Sequence, residues 1–187
     1  MSFQSLSKKN YTHFCRLLLL VAYLNFVENG MMFSILPYAC LSYVGGEQVF
    51  KWSVLLSLII DPFACLFTSL FSTFNYWLLV PVWTLLSSYV LLLAILSPNP
   101  LFSSSVVASV FVVVINVVNR AFIAYTKTII YLDVKKVLKQ EQVFSKTSDF
   151  SKGEKLFRWV GLSVQAGSFL GSLLFFLLIN VAKVFKE

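Results

Sequence analysis

Charged side chains are scarce in this sequence. Asp, Glu, Lys and Arg together make up 12% of its 187 residues, about half the share of roughly 25% usual in a soluble domain. That leaves too few polar side chains to cover a soluble surface, and it excludes a disordered tail and almost any soluble enzyme. Histidine occurs once, as His13, so a His-based zinc site or a Ser-His-Asp triad has little to build from. The three cysteines, Cys15, Cys40 and Cys65, are odd in number and far apart, which fits neither a disulfide framework nor a metal-ligand spacing. No nucleophile–base constellation appears, so no catalytic residue, metal or cofactor is assigned. The excess of 15 Lys and Arg over 8 Asp and Glu is not interleaved with stacking aromatics on a polar surface, so nucleic acid is not a partner.

What the chain has instead is apolar length. Hydrophobic residues make up 58%, with 19 Phe. Runs of this kind occupy Phe14–Leu36, Trp52–Phe71, Tyr76–Leu96, a stretch entered near Leu101 (103–127) and Trp159–Ala182. Each reaches the ~20 residues that cross a bilayer as a helix. Lipid cannot satisfy free backbone groups, and barrel-like alternation is missing, so the fold class is an all-α integral membrane protein with five transmembrane helices in one membrane domain. Pro37 and Gly45-Gly46 are expected to end the first helix, and Ser97-Pro98-Asn99-Pro100 to separate the third from the fourth. Trp52, Tyr76, Trp77 and Trp159 stand at run ends, as interfacial anchors do. The Lys-rich stretch 133–158 reads as a solvated cytoplasmic loop. Lys8-Lys9 followed by Leu17–Val27 has the charge pattern of a signal peptide, but no small-x-small cleavage site follows, so the run reads as a span.

The basic residues give an orientation. If all five runs span, ten Lys and Arg (8, 9, 16, 135, 136, 139, 146, 152, 155 and 158) fall on one side and three (51, 183 and 186) on the other. The positive-inside rule then puts the N-terminus in the cytoplasm and the C-terminus outside.

Chemistry in such a chain resides in the polar residues within the spans, because a charge at helix centre costs about 2.5–3.5 kcal/mol on the insertion scale and seeks a cavity or a partner. Asn25, Glu28 and Asn29, at i, i+3 and i+4, are expected on one face of the first helix. Asp61-Pro62 lies in the middle of the second, where proline is expected to interrupt the helix. Asn116, Arg120 and Lys127 form a stripe on the fourth. Gln165 joins Gly161, Ser168 and Ser172 on the fifth. These stripes are expected to line a polar cavity, to meet another bundle, or to act as interhelical glue. An Asp61–Arg120 pair would lower both insertion costs. Gly167-Ser168-Phe169-Leu170-Gly171 is a GxxxG, read as a packing motif.

The same residues carry a resemblance. Asn25-x-x-x-Asn29-Gly30 with Tyr38-Ala39-Cys40-Leu41-Ser42-Tyr43, then Pro62-x-Ala64, Ala124-Tyr125-x-Lys127 and Val164-Gln165-x-Gly167-Ser168-x-x-Gly171 with Asn180 resemble, in order and spacing, the eukaryotic riboflavin transporter family of solute carriers. The resemblance implies an eleven-helix, major-facilitator-like carrier of the equilibrative-nucleoside-transporter type. This chain resembles its five-helix C-terminal lobe. It implies vitamin uptake, with riboflavin moved across the plasma membrane by alternating access between this lobe and a complementary six-helix lobe or another copy. The implied substrate contacts are Asn25, Glu28, Asn29, Asp61, Asn116, Arg120, Lys127 and Gln165. Glu28 and Asp61 depart from the family pattern, which has a small residue and Asn at those places. The alternative is a non-transporting membrane scaffold or subunit, or a truncated transporter fragment.

Overall fold

A computed structural model describes residues 8–71, 75–99, 104–144 and 150–181. The first rod comprises α1 (Lys8–Asn25), a π-helical turn (Phe26–Met32) and α2 (Phe33–Leu41) without interruption; α3 (Gly46–Leu70), α4 (Tyr76–Ile95), α5 (Val106–Phe144) and α6 (Phe150–Asn180) follow. All five rods contain a segment long and apolar enough to cross a membrane. The chain is a multi-pass membrane protein. Its exterior is apolar, with Leu19, Leu85, Val107 and Phe169 all outward, as lipid requires.

Local signals set the ends. The turn after α2 closes on Gly45, whose φ of 70° lies in the left-handed region open to glycine, and α3 starts directly after it. Asn75 caps α4 by accepting from the Trp77 N–H at 3.1 Å. Tyr125 on α5 donates its hydroxyl to the Phe71 carbonyl just past α3.

Helices run further than hydropathy alone implies. Pro37 lies inside α2, and the first rod extends to Leu41. Pro62 lies inside α3, which continues from Gly46 to Leu70; the interruption expected there is instead the π-turn in the first rod. Residues 133–144 and 150–158, read as part of a loop, are helical. α5 continues to Phe144 and α6 begins at Phe150, and residues 145–149 lie outside the described residues. The reason is amphipathic patterning: Val134 and Val137 are buried while Lys135, Lys136 and Lys139 are exposed. Lys136 pairs with Asp133 at 3.2 Å, and Arg158 with Glu154 at 2.7 Å, at helical spacing. At 39 residues, α5 is about 58 Å long, well beyond the ~30 Å hydrocarbon core. Tyr76, expected as an interfacial anchor, is turned inward, whereas Trp52, Trp77 and Trp159 are exposed.

The first rod is central. It packs on α6 along α1 and the π-turn, and on α4 through α2, while α3 lies along α5. Trp83, Phe14, Leu24, Ile35 and Ile123 fill the core between them. The contact with α6 depends on absent side chains. A Cβ on Gly30 would stand 2.4 Å from the Gly171 Cα, and one on Gly167 would stand 2.1 Å from the Ala22 carbonyl oxygen. The GxxxG pair thus brings two backbones together. A Cβ on Gly161 would meet nothing within 4 Å. Gly167→Val is therefore expected to destabilise by about 2 kcal/mol or more through overpacking, a fall of roughly 4–8 °C in melting temperature. Gly161→Ala is expected to leave the melting temperature unchanged or raise it. Thermal unfolding of both variants in one detergent checks the pair.

Candidate functional site

The charged residues of the spans converge on one chain of contacts. Arg120 of α5 stands at its centre. Its Nε donates to both oxygens of Asp61 at 3.0 Å, and its Nη2 donates to Asp61 Oδ2 at 2.9 Å. Its Nη1 meets Glu28 Oε1 at 2.8 Å. The other oxygen of Glu28 accepts from Lys127 Nζ at 2.9 Å. Asp61, Arg120, Glu28 and Lys127 thus alternate in sign and sum to zero. Each end of the ladder comes from a different place: α3 supplies Asp61, the π-turn Glu28, and α5 two cations seven residues apart on one stripe. The Asp61–Arg120 pair expected from the sequence forms, and it gains Glu28 as a third member. Glu28 is the most buried, its side chain 6% exposed, and it has a cation on each oxygen. That arrangement is what a carboxylate in a low-dielectric interior demands.

The π-turn decides where Glu28 points. A wider turn changes the angular spacing of side chains, and Glu28 faces α5 while its neighbours face α6. Asn25 is fully buried; it donates to the Val21 carbonyl at 2.8 Å and accepts from Asn29 at 3.2 Å. Asn29 also donates to Ser168 Oγ on α6 at 3.0 Å. The expected single face of Asn25, Glu28 and Asn29 is therefore split in two. Ser34 Oγ donates to the Gly30 carbonyl at 2.7 Å beside the same irregular turn.

Beside the ladder lies a cleft of about 60 Å³, bordered by Glu28, Met32 and Phe33 of the first rod, Val54 and Leu58 of α3, and Asn116, Asn119 and Arg120 of α5. Phe33 is 58% exposed, and the Arg120 guanidinium lies 5.7 Å from its ring centroid. Asn119 donates to Ser87 Oγ of α4 at 2.9 Å and reaches Met32 Sδ at 3.8 Å. Asn116 donates to the Val112 carbonyl at 3.1 Å. Sequence reasoning missed Asn119, Ser87 and Phe33. Asn119 was visible as the i+3 neighbour of Asn116 on the same stripe; an exposed Phe among 19 carried no signal. Among the described residues no group of three His, Cys, Asp or Glu gathers to hold a metal.

Comparison with known proteins gives a family. The pattern described as "Solute carrier family 52, riboflavin transporter" matches residues 3–187.

The chain belongs to solute carrier family 52.

Its relatives include human solute carrier family 52, riboflavin transporter, member 3, 30% identical over 179 residues, which are 94% of this chain and 34% of that protein. Riboflavin transporter 2 of Salmo salar is 30% identical over 89% of this chain and 33% of its own length. Riboflavin transporter rft-2 of Caenorhabditis elegans is 27% identical over 93% and 34%. The chain spans about a third of the length of these relatives. No solved structure matches it.

Within this family member the eight residues singled out from the sequence fall into three groups. Glu28, Asp61, Arg120 and Lys127 form the ladder, with Asn116 beside it in the cleft. Asn29 joins the first rod to α6 through Ser168, and Asn25 supports Asn29 from within the rod. Gln165 is exposed on α6 and borders no part of the cleft. If the ladder holds three rods together, Arg120→Gln strands Asp61, leaves Glu28 with Lys127 alone, and destabilises by about 3 kcal/mol. The double variant Asp61→Asn with Arg120→Gln is expected to regain a large part of that loss. A double-mutant cycle on detergent-solubilised protein measures the coupling; additive single effects would show that the pair contributes nothing.

Proposed function

We propose that this chain supplies one lobe of a carrier that moves riboflavin across the plasma membrane by alternating access. The observation that carries the reading is the family match over residues 3–187, joined to a polar cleft whose rim is an exposed aromatic. Riboflavin has a flat tricyclic ring and a polyol tail. Phe33 offers the ring a stacking face, and the ladder and the Asn116 and Asn119 amides offer polar groups at the cleft wall.

The open rim argues for a second surface. Phe33 is 58% exposed there, so a ring stacked on it is covered by this chain on one face only. The ring has to be covered from the open side, and a complementary six-helix lobe or a second copy supplies that cover. Rocking of one lobe on the other then exposes the ligand alternately to each side. The ten-to-three division of basic residues supports a cytoplasmic N-terminal side and an outward C-terminal side. In this reading Glu28, Asp61, Asn116, Arg120 and Lys127 face the substrate region, Asn25 and Asn29 belong to helix contacts, and Gln165 lies on the exposed side of α6.

Radiolabelled riboflavin uptake tests the proposal in cells carrying this chain alone and together with the six-helix half of a full-length relative. Uptake is expected only with both halves. Phe33→Ala, at an exposed position, is expected to cut that uptake about five- to tenfold through lost stacking while leaving the melting temperature unchanged. No uptake with both halves at the cell surface would overturn the carrier reading and favour a scaffold in which the ladder is interhelical glue.

A further inference from the structure

Asn116 is placed to read one atom of the ligand. It is 3% exposed and stands one turn before Arg120 in the cleft wall. Its amide has a defined direction. Nδ2 donates to the Val112 carbonyl at 3.1 Å; the flipped amide would set two acceptors against each other. Oδ1 therefore points elsewhere, and among the described residues it is buried without a donor. A buried acceptor left unpaired is costly, and one bordering a cleft calls for a donor from whatever enters. Arg120 is engaged with Asp61 and Glu28 and Asn119 with Ser87, while Ser57 adds a hydroxyl to the lining.

We infer that Asn116 Oδ1 accepts the imide N–H of the flavin ring and makes the cleft selective for ligands that carry that donor. The inference rests on the carrier reading above. The cleft wall favours the ring edge over the tail. Met32, Leu36, Val54 and Leu58 are apolar, and a polyol sunk among them would bury more hydroxyls than Ser57 and the Asn116 acceptor can pair. The imide edge presents a single N–H, and Arg120 lies in the same wall as a donor for an adjacent carbonyl.

Competition in the two-half uptake assay tests it, with unlabelled riboflavin against 3-methylriboflavin, in which a methyl group replaces the imide hydrogen. The chain is expected to prefer riboflavin by about tenfold or more. Asn116→Val is expected to bring that preference close to one by weakening riboflavin. Asn116→Thr, whose hydroxyl donates back to Val112 and still accepts, is expected to retain part of it. Surface-expressed protein normalises all three. Equal competition by both flavins in the unaltered chain overturns the assignment whatever the variants do. So does an undiminished preference in Asn116→Val, and in both cases the carrier reading stands. Absence of riboflavin uptake with both halves at the surface overturns the carrier reading and this inference with it.

Discussion

Four charges inside an apolar bundle constrain everything around them. Glu28 is nearly enclosed and Asp61 stands within an apolar run, so each is met by a cation held at hydrogen-bond distance. Arg120 meets both, because a planar guanidinium can face Asp61 with one edge and Glu28 with its remaining nitrogen. Lysine, a single point charge, serves at the end of the ladder, where only Glu28 has to be met. The result ties α3, α5 and the first rod together at one level and leaves the cleft beside them. Apolar packing alone would not fix that register, since lipid and helix surfaces are equally apolar.

The π-turn makes the ladder compatible with the packing behind it. On one side of the first rod, Gly30 must approach Gly171 closely, and Asn29 must reach Ser168. On the other, Glu28 must reach across to two cations on α5. Local widening of the helix lets adjacent residues serve different neighbours. The stability of the α6 contact and the electrostatics of the cleft are therefore joined through one short segment.

The cleft is open at its aromatic rim, where Phe33 is exposed. Its strongest polar groups are paired before any ligand arrives, which keeps the charge cost of the empty state low. The Asn116 carbonyl oxygen is different, because no donor among the described residues meets it. A site of this kind separates two tasks. The ladder holds the rods in place, and a neutral acceptor is left for recognition, where an unmatched ligand would leave it buried and unsatisfied.

Hydropathy determined the class of fold and the number of spans, because each run had to satisfy its own backbone in lipid. Tyr76–Ile95 emerged almost where the run began and ended. The polar residues that matter were also legible, because charge inside an apolar run stands out on its own: Glu28, Asp61, Arg120 and Lys127 all joined one network. What only the tertiary structure decided was direction. A stripe assumes 3.6 residues per turn, and the π-turn broke that assumption for Glu28 against Asn25 and Asn29. Gln165 looked inward by residue type, yet α6 turns it out, because Gly167 and Gly171 claim the face toward the first rod. The helical course of 133–144 was hidden because hydropathy reports insertion into lipid, whereas these turns are held by Val134 and Val137 against the bundle. Spacing along a chain can name the groups that need partners; only the packing of the rods selects the partners.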